Sequence, residues 1–253
     1  MNDTDNFLPR DTLPLAFLLS NNLEKITINR NLAVIGYGSF QTGVSIREFV
    51  VEDGNSAFRA IDGNLYSKDK KQFICYASGK TDKSITVPDG VVTIGDSAFY
   101  YCTGLTSIII PASVKSIDFW AFYNCTSINE VFYDGDIKGW CEIDFDGSWS
   151  NPVYYADSLY INGSLIEDNL IIPDGVFGIG DHAFENCTEI TSVIIGDDVT
   201  SIGYSSFENC TRLTSVTIGN GVTNIDDYAF DRCSKLTSVF IGDSITSLGD
   251  DAF

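Results

Sequence analysis

The sequence predicts an α/β repeat solenoid, a coil of short parallel strands stacked in 23-residue units. The first observation is a gapless superposition of the segments after Phe184, Phe207 and Phe230. They read Phe-Glu-Asn-Cys187-Thr-Glu-Ile190-Thr-Ser-Val193, Phe-Glu-Asn-Cys210-Thr-Arg-Leu213-Thr-Ser-Val216 and Phe-Asp-Arg-Cys233-Ser-Lys-Leu236-Thr-Ser-Val239. The second is that Phe17 with Phe40, Phe99 with Phe122, and Phe184 through Phe253 keep the same 23-residue spacing. The third is that apolar residues recur at +6, +9, +11, +15 and +18 from each phenylalanine, as in Leu105, Ile108, Ile110, Val114 and Ile117. Such a unit cannot bury its apolar side alone, but it can when stacked on its neighbours.

Each element of the unit follows from this pattern. Positions +9 and +11 have the two-residue period of a strand, with both side chains on one face. Pro111, Gly196, Gly219 and Gly242 follow at +12 and end the strand. The Ala-Phe-x-x-Cys stretch has room for about one helical turn. Nine parallel strands are therefore expected, centred on residues 27, 50, 86, 109, 132, 171, 194, 217 and 240. At about 4.8 Å per strand, their spacings span roughly 38 Å. The eight phenylalanines are expected to form one buried column.

Two interruptions obey the same ruler. Val51 and Val87 are one repeat plus 13 residues apart, and Tyr133 and Ile172 are one repeat plus 16. The insertions lie near 52–83 and 134–168, within what reads as one domain over residues 1–253. Each looks like a hairpin. Leu65-Tyr66 and Gln72–Tyr76 flank Ser-Lys-Asp-Lys-Lys, and Leu159–Ile161 and Ser164–Ile166 flank Asn162-Gly163. Asn-Gly favours a type I′ turn because both residues accept positive φ.

Composition bounds the function. The chain of 253 residues is 44% hydrophobic and 20% charged, a globular composition. Its formal charge is −20, and residues 84–253 carry the whole excess, with 25 acids against five bases. A general nucleic-acid binder needs the opposite sign. No apolar run is long enough to span a membrane, so membrane insertion is not expected. The start, Met1-Asn2-Asp3-Thr4-Asp5, lacks a basic region, and Leu13–Leu19 is too brief for a signal peptide. Phe253 falls inside a repeat, which reads as an unfinished end.

Residues 105–125 read Leu-Thr-Ser-Ile-Ile-Ile-Pro-Ala-Ser-Val-Lys-Ser-Ile-Asp-Phe-Trp-Ala-Phe-Tyr-Asn-Cys. This resembles the BspA-like, Treponema pallidum-type leucine-rich repeat, Leu-x-x-Ile-x-Ile-Pro-x-x-Val-x-x-Ile-Gly-x-x-Ala-Phe-x-x-Cys. The match covers most of residues 13–253, with Ser20 and Gly43 replacing the cysteine in the earliest copies. The resemblance implies a curved solenoid with its sheet on the concave side. It also implies a bacterial surface or secreted protein that binds other macromolecules.

Motifs for catalysis and cofactors are sparse. Cys102, Cys125, Cys187, Cys210 and Cys233 share the +3 position and read as a ladder of buried, reduced thiols; no Cys-x-x-Cys occurs. Cys75 and Cys141 lie in separate insertions. The single histidine, His182, sits at a variable position and reads as surface filler, and Glu185 reads as part of a distributed anionic face. Asp134-Gly-Asp136 and Asp144-Phe-Asp146-Gly147 resemble fragments of a calcium loop but lack its later Glu, so they read as turns. Gly36-Tyr-Gly38 and Gly178-Ile-Gly180 lack the Lys-Ser/Thr of a phosphate loop. Asn124-Cys-Thr126, Asn186-Cys-Thr188 and Asn209-Cys-Thr211 are glycosylation sequons generated by the repeat. No enzyme, metal or cofactor is expected.

Surface chemistry remains. Position +10 alternates away from the core and reads Thr27, Val50, Thr86, Ile109, Phe132, Ile171, Ile194, Thr217 and Phe240. Ser107, Ser192, Ser215 and Ser238 flank it at +8. The second insertion adds Trp140, Trp149, Tyr154 and Tyr155, which either face a ligand or form a small core of their own. The leading expectation is a non-catalytic adhesion module. It would hold a host or cell-surface protein on Ile109, Phe132, Ile194 and Phe240, with Trp140 and Trp149 near the rim. The alternatives are a carbohydrate-binding module built on the aromatic insertion and a structural spacer.

Overall fold

The structure, a computed structural model, describes residues 22–41 and 44–253. Phe17, Ser20 and Gly43 lie outside the described residues. All nine expected strands form, at Lys25–Ile28, Glu48–Val51, Ser84–Thr86, Ser107–Ile110, Glu130–Tyr133, Asp168–Ile172, Ile190–Ile195, Ser215–Ile218 and Ser238–Phe240. Consecutive regular strands pair in parallel at the 23-residue register, as in Val193 with Val216 and Val216 with Val239. The alternation follows the pleat. In Ser107–Ile110, Ile108 and Ile110 are buried while Ile109 is half exposed.

The nine strands do not make one row. They divide into three sheets, because the insertions occupy the places between. In the second insertion, Ser158–Ile161 pairs in parallel with Glu130–Tyr133, Phe132 opposite Tyr160. It is a further rung, displaced from the ruler by five residues, and it ends in the expected hairpin. Tyr160 faces Leu165 antiparallel across Asn162-Gly163, whose φ values of 50° and 74° fit the type I′ turn. The first insertion is a three-stranded meander, Phe58–Ile61, Asn64–Ser67 and Gln72–Cys75, with a second such turn at Asp62-Gly63.

A second ladder of two-residue strands runs beside the first. Thr93–Ile94, Ser116–Ile117 and Asp144–Phe145 pair in parallel, as do Gly178–Ile179, Ser201–Ile202, Asn224–Ile225 and Ser247–Leu248. These are the +17 and +18 positions, except that Asp144–Phe145 comes five residues late. The meander's last strand joins the first of these ladders, Phe73 opposite Ile94.

The Ala-Phe-x-x-Cys stretch makes hydrogen-bonded turns, not an α-helix. In each, the cysteine amide donates to the carbonyl of the ruler phenylalanine, as from Cys102 to Phe99 at 3.0 Å. Two left-handed residues shape the stretch. One lies two before the phenylalanine, at Ser97, Trp120, His182, Ser205 and Tyr228; the other lies two after it, at Tyr101, Asn124, Asn186, Asn209 and Arg232. Asn tolerates that region better than most residues, which explains the asparagine before the cysteine. The sequons are thus a by-product of turn geometry.

Side chains repeat along the axis with the backbone. Phe99 stacks on Phe122 at 4.9 Å, and Phe184, Phe207, Phe230 and Phe253 stack at 5.1 to 5.2 Å. The expected single column is broken into two such stacks. Phe73 from the meander extends the first, while Phe40 packs edge-on to Phe49 in a separate N-terminal core. Thr214 and Thr237 each donate to the carbonyl of the threonine 23 residues earlier. The cysteines do likewise. The thiols of Cys125, Cys210 and Cys233 donate to the carbonyls of Phe99, Phe184 and Phe207 at 3.0 to 3.3 Å.

The stacks are bridged by side chains. In regular rungs the phenylalanine amide donates to the residue before the next ruler phenylalanine, as from Phe99 to Ala121 and from Phe184 to Ser206. Phe122 donates to Trp149. Ser150, wholly buried, therefore holds the phenylalanine position of the irregular rung. The Ala183 carbonyl of the next rung is met not by a backbone amide but by Trp140 Nε1 at 2.8 Å and Asn151 Nδ2 at 3.4 Å. Asn151 also donates to His182 O at 2.9 Å.

Phe207 lies between two stacked rings and is fully buried. Phe207→Ala should lower unfolding free energy by about 3–5 kcal/mol through lost transfer energy and the residual cavity. Chemical denaturation measures it, and a change below about 1 kcal/mol would mean the rings do not stack in this register.

Candidate binding surfaces

The +10 residues do face away from the core, but in separate rows. Thr86, Ile109, Phe132 and Tyr160 are neighbours in one sheet, and Ile171, Ile194, Thr217 and Phe240 in another. Ile109 and Phe132 are half-buried, and the Phe132 ring stacks on Tyr160 at 4.6 Å. The other row is open, with Ile171 54%, Ile194 46% and Phe240 63% exposed. Ser192, Ser215 and Ser238 run beside it in register. Tyr160 was not legible from the 23-residue ruler, because its strand is off register. The alternation in Leu159-Tyr160-Ile161, with Leu159 and Ile161 buried, was the available signal.

The insertion aromatics divide between core and surface. Trp140, expected near the rim, is fully buried, and it packs on Tyr133 and Phe145 with its N–H on Ala183 O. An indole at this place fills the core and supplies a donor that the irregular backbone lacks. Tyr155 is half-buried, and its hydroxyl accepts from the Asn124 amide at 2.8 Å. Trp149 is 36% exposed, lying edge-on to Tyr123 at 5.5 Å and near Tyr154.

Trp149 belongs to a wider patch absent from the sequence-based expectations. Tyr100 stacks on Tyr123 at 5.2 Å, Trp120 lies 5.5 Å from Tyr123, and Phe119 stacks on Trp120 at 4.8 Å. Tyr101 packs on both Tyr100 and Tyr123. All occupy variable positions flanking Phe99 and Phe122. Adjacent copies carrying large rings at these outward positions were the missed signal.

Several polar groups have structural employment. His182 and Glu185, expected at the surface, are buried, and His182 Nδ1 lies 2.8 Å from Glu185 Oε2. The left-handed turn at His182 and the adjoining Tyr204 ring, 5.4 Å away, fold the imidazole inward. Asp136, from a calcium-like fragment, caps the short helix Ile137–Cys141 by accepting from Gly139 at 2.7 Å. All seven cysteines are buried and none forms a disulfide. Burial pushes the Cys75 thiol up to about 12 and the Cys187 and Cys141 thiols higher still, so they stay protonated and unreactive. Among the described residues, no group of three or more His, Cys, Asp or Glu is arranged to hold a metal ion.

One carboxyl stands out. Asp118 follows Ile117 in the short ladder, and Asp146 follows Phe145 in the adjoining rung. Burial pushes the Asp118 carboxyl up to about 6, and the charges of Asp146, Asp96 and Asp144 add to it.

Stacked parallel strands, phenylalanine columns and 23-residue turns define a leucine-rich repeat solenoid. The chain belongs to the BspA type leucine rich repeat family, which it matches in six copies over residues 13–71, 73–150 and 157–253. It is similar in fold to a leucine-rich repeat protein from Eubacterium ventriosum, with 23% identity, a TM-score of 0.64, and 91% of this chain aligned to 58% of that one. The pneumococcal vaccine antigen PcpA aligns at 21% identity and TM-score 0.48 over 92% of this chain and 48% of that chain. The T. pallidum leucine rich repeat protein aligns at 23% identity and TM-score 0.47 over 73% of this chain and 81% of that chain. The chain thus spans little more than half the length of the Eubacterium protein. No curated protein matches it.

Because Asp118 binds its proton more tightly when folded than the ordinary carboxylate near 3.9, its charge opposes folding above about pH 6 and not below about pH 4. Asp118→Asn should therefore stabilise the protein at pH 7.5, by about 1 kcal/mol once solvent screening at this half-buried site is allowed for. It should leave the melting temperature unchanged near pH 4. Equal shifts at both pH values would show that charge is not the cause.

Proposed function

We propose that the chain is a non-catalytic binding module of a bacterial surface or secreted protein, engaging a protein partner through the outward sheet face. The observation that carries this reading is the exposed row Ile171, Ile194 and Phe240 beside a line of serines. Apolar side chains held on rigid strands lose little conformational freedom when covered. Each large one gains about 1.5–3 kcal/mol on full burial. Ile109 and Phe132, with Tyr160, would form a second, flatter part of the same contact. Family membership supports the setting and the non-catalytic character, and among the described residues no helix is long and apolar enough to cross a membrane. A carbohydrate reading rests on Trp149 and Tyr154, since Trp140 is buried.

Immobilised extracellular-matrix proteins and a glycan array, probed side by side, test the two readings. A matrix protein should be retained, Ile194→Glu should abolish retention without lowering the melting temperature, and Lys235→Glu, at an exposed turn, should not. Binding to glycans alone, or retention by the Ile194→Glu variant, would contradict the sheet-face reading.

A further inference from the structure

The aromatic patch on the turn side joins three successive rungs. Tyr100 and Tyr101 come from the first, Phe119, Trp120 and Tyr123 from the second, and Trp149 from the irregular third. Tyr101 is 40% exposed and Trp149 36%. The indole nitrogen of Trp120 is buried without a hydrogen-bond partner. The rings form one continuous half-buried surface that is most open at Tyr101 and Trp149.

The carboxylates beside this patch decide what it can take. Asp118 lies directly before Phe119, and Asp146 lies three residues before Trp149. Among the described residues, no lysine or arginine forms an ion pair with Asp118, Asp144 or Asp146. The chain around them carries 25 acids and five bases over residues 84–253. An anionic ligand is repelled here, and a neutral sugar leaves the carboxylate repulsion in place. A guanidinium removes it, because it pairs with carboxylates through its planar fork and stacks on aromatic faces at the same time.

We propose that this patch, with Asp118 and Asp146 at its edge, is a second contact surface that takes an arginine-bearing basic segment of a protein partner. It does not depend on the sheet-face reading, since it uses other residues on another side of the repeat.

The three tryptophans give a direct readout, because Trp120 and Trp149 lie in the patch and Trp140 is buried away from it. The protein is titrated with the peptide acetyl-Gly-Arg-Gly-Arg-Gly-amide, its glutamate counterpart and maltohexaose, and the indole N–H signals are followed by NMR. The arginine peptide should move the Trp120 and Trp149 signals and leave Trp140 in place. Asp118→Asn with Asp146→Asn should weaken binding at least fivefold, and exposed Asp146→Asn alone covers the case in which the double variant folds poorly. No shift with the arginine peptide, equal shifts with the glutamate peptide, binding of maltohexaose in its place, or unchanged affinity in the charge variants would overturn the proposal.

Discussion

The structure depends on the amide-to-carbonyl bonds that run along the solenoid axis at a fixed register. Each regular strand bonds to the equivalent residues 23 positions away, so every side chain sits on its own counterpart. That constraint makes the phenylalanines stack, the threonines bond in series and the cysteine thiols reach the previous phenylalanine carbonyl. The cysteine position then wants a small, apolar residue with a weak donor, which a thiol satisfies without needing an oxidised partner.

Because the register is strict, most of the fold was legible in the sequence. The regular strands, the phenylalanine spacing and the Asn-Gly hairpin all follow from local pattern. What escaped were places where side chains replace backbone. The ruler cannot show that Ser158–Ile161 re-enters the sheet five residues late, or that Trp140 and Asn151 serve the Ala183 carbonyl. Trp140 read as a rim aromatic because its composition suits either role, and only the missing amide donor distinguishes them. His182 read as surface filler for a similar reason. A variable repeat position implies an outward side chain, whereas the left-handed backbone of His182 and Glu185 turn the ring inward.

The same register shapes the candidate surfaces. Positions that alternate away from the core become rows, so a single exposed Ile or Phe acquires neighbours of like character one strand spacing away. Rows on the sheet are apolar and hydroxylic. Those at the turns of the second and third rungs are aromatic and acidic. A partner meeting both would bind across the edge of the coil, with apolar burial on one side and charge complementarity on the other. On the proposed arginine contact, the acidic composition would also steer a basic partner toward the coil.

The central claim is that continuity of the amide ladder carries stability along the chain, with Trp140 restoring it where the backbone fails. Hydrogen exchange on Trp140→Phe tests this most directly, since an aromatic ring remains while the shorter of the two donors to Ala183 O is lost with part of the indole. The account predicts faster exchange at the Phe184 and Asn186 amides, next to a carbonyl left with only the 3.4 Å bond from Asn151, and destabilisation of about 1–3 kcal/mol. Unchanged protection and unchanged stability would show that the bridge is ornamental and that hydrophobic stacking alone joins the two halves.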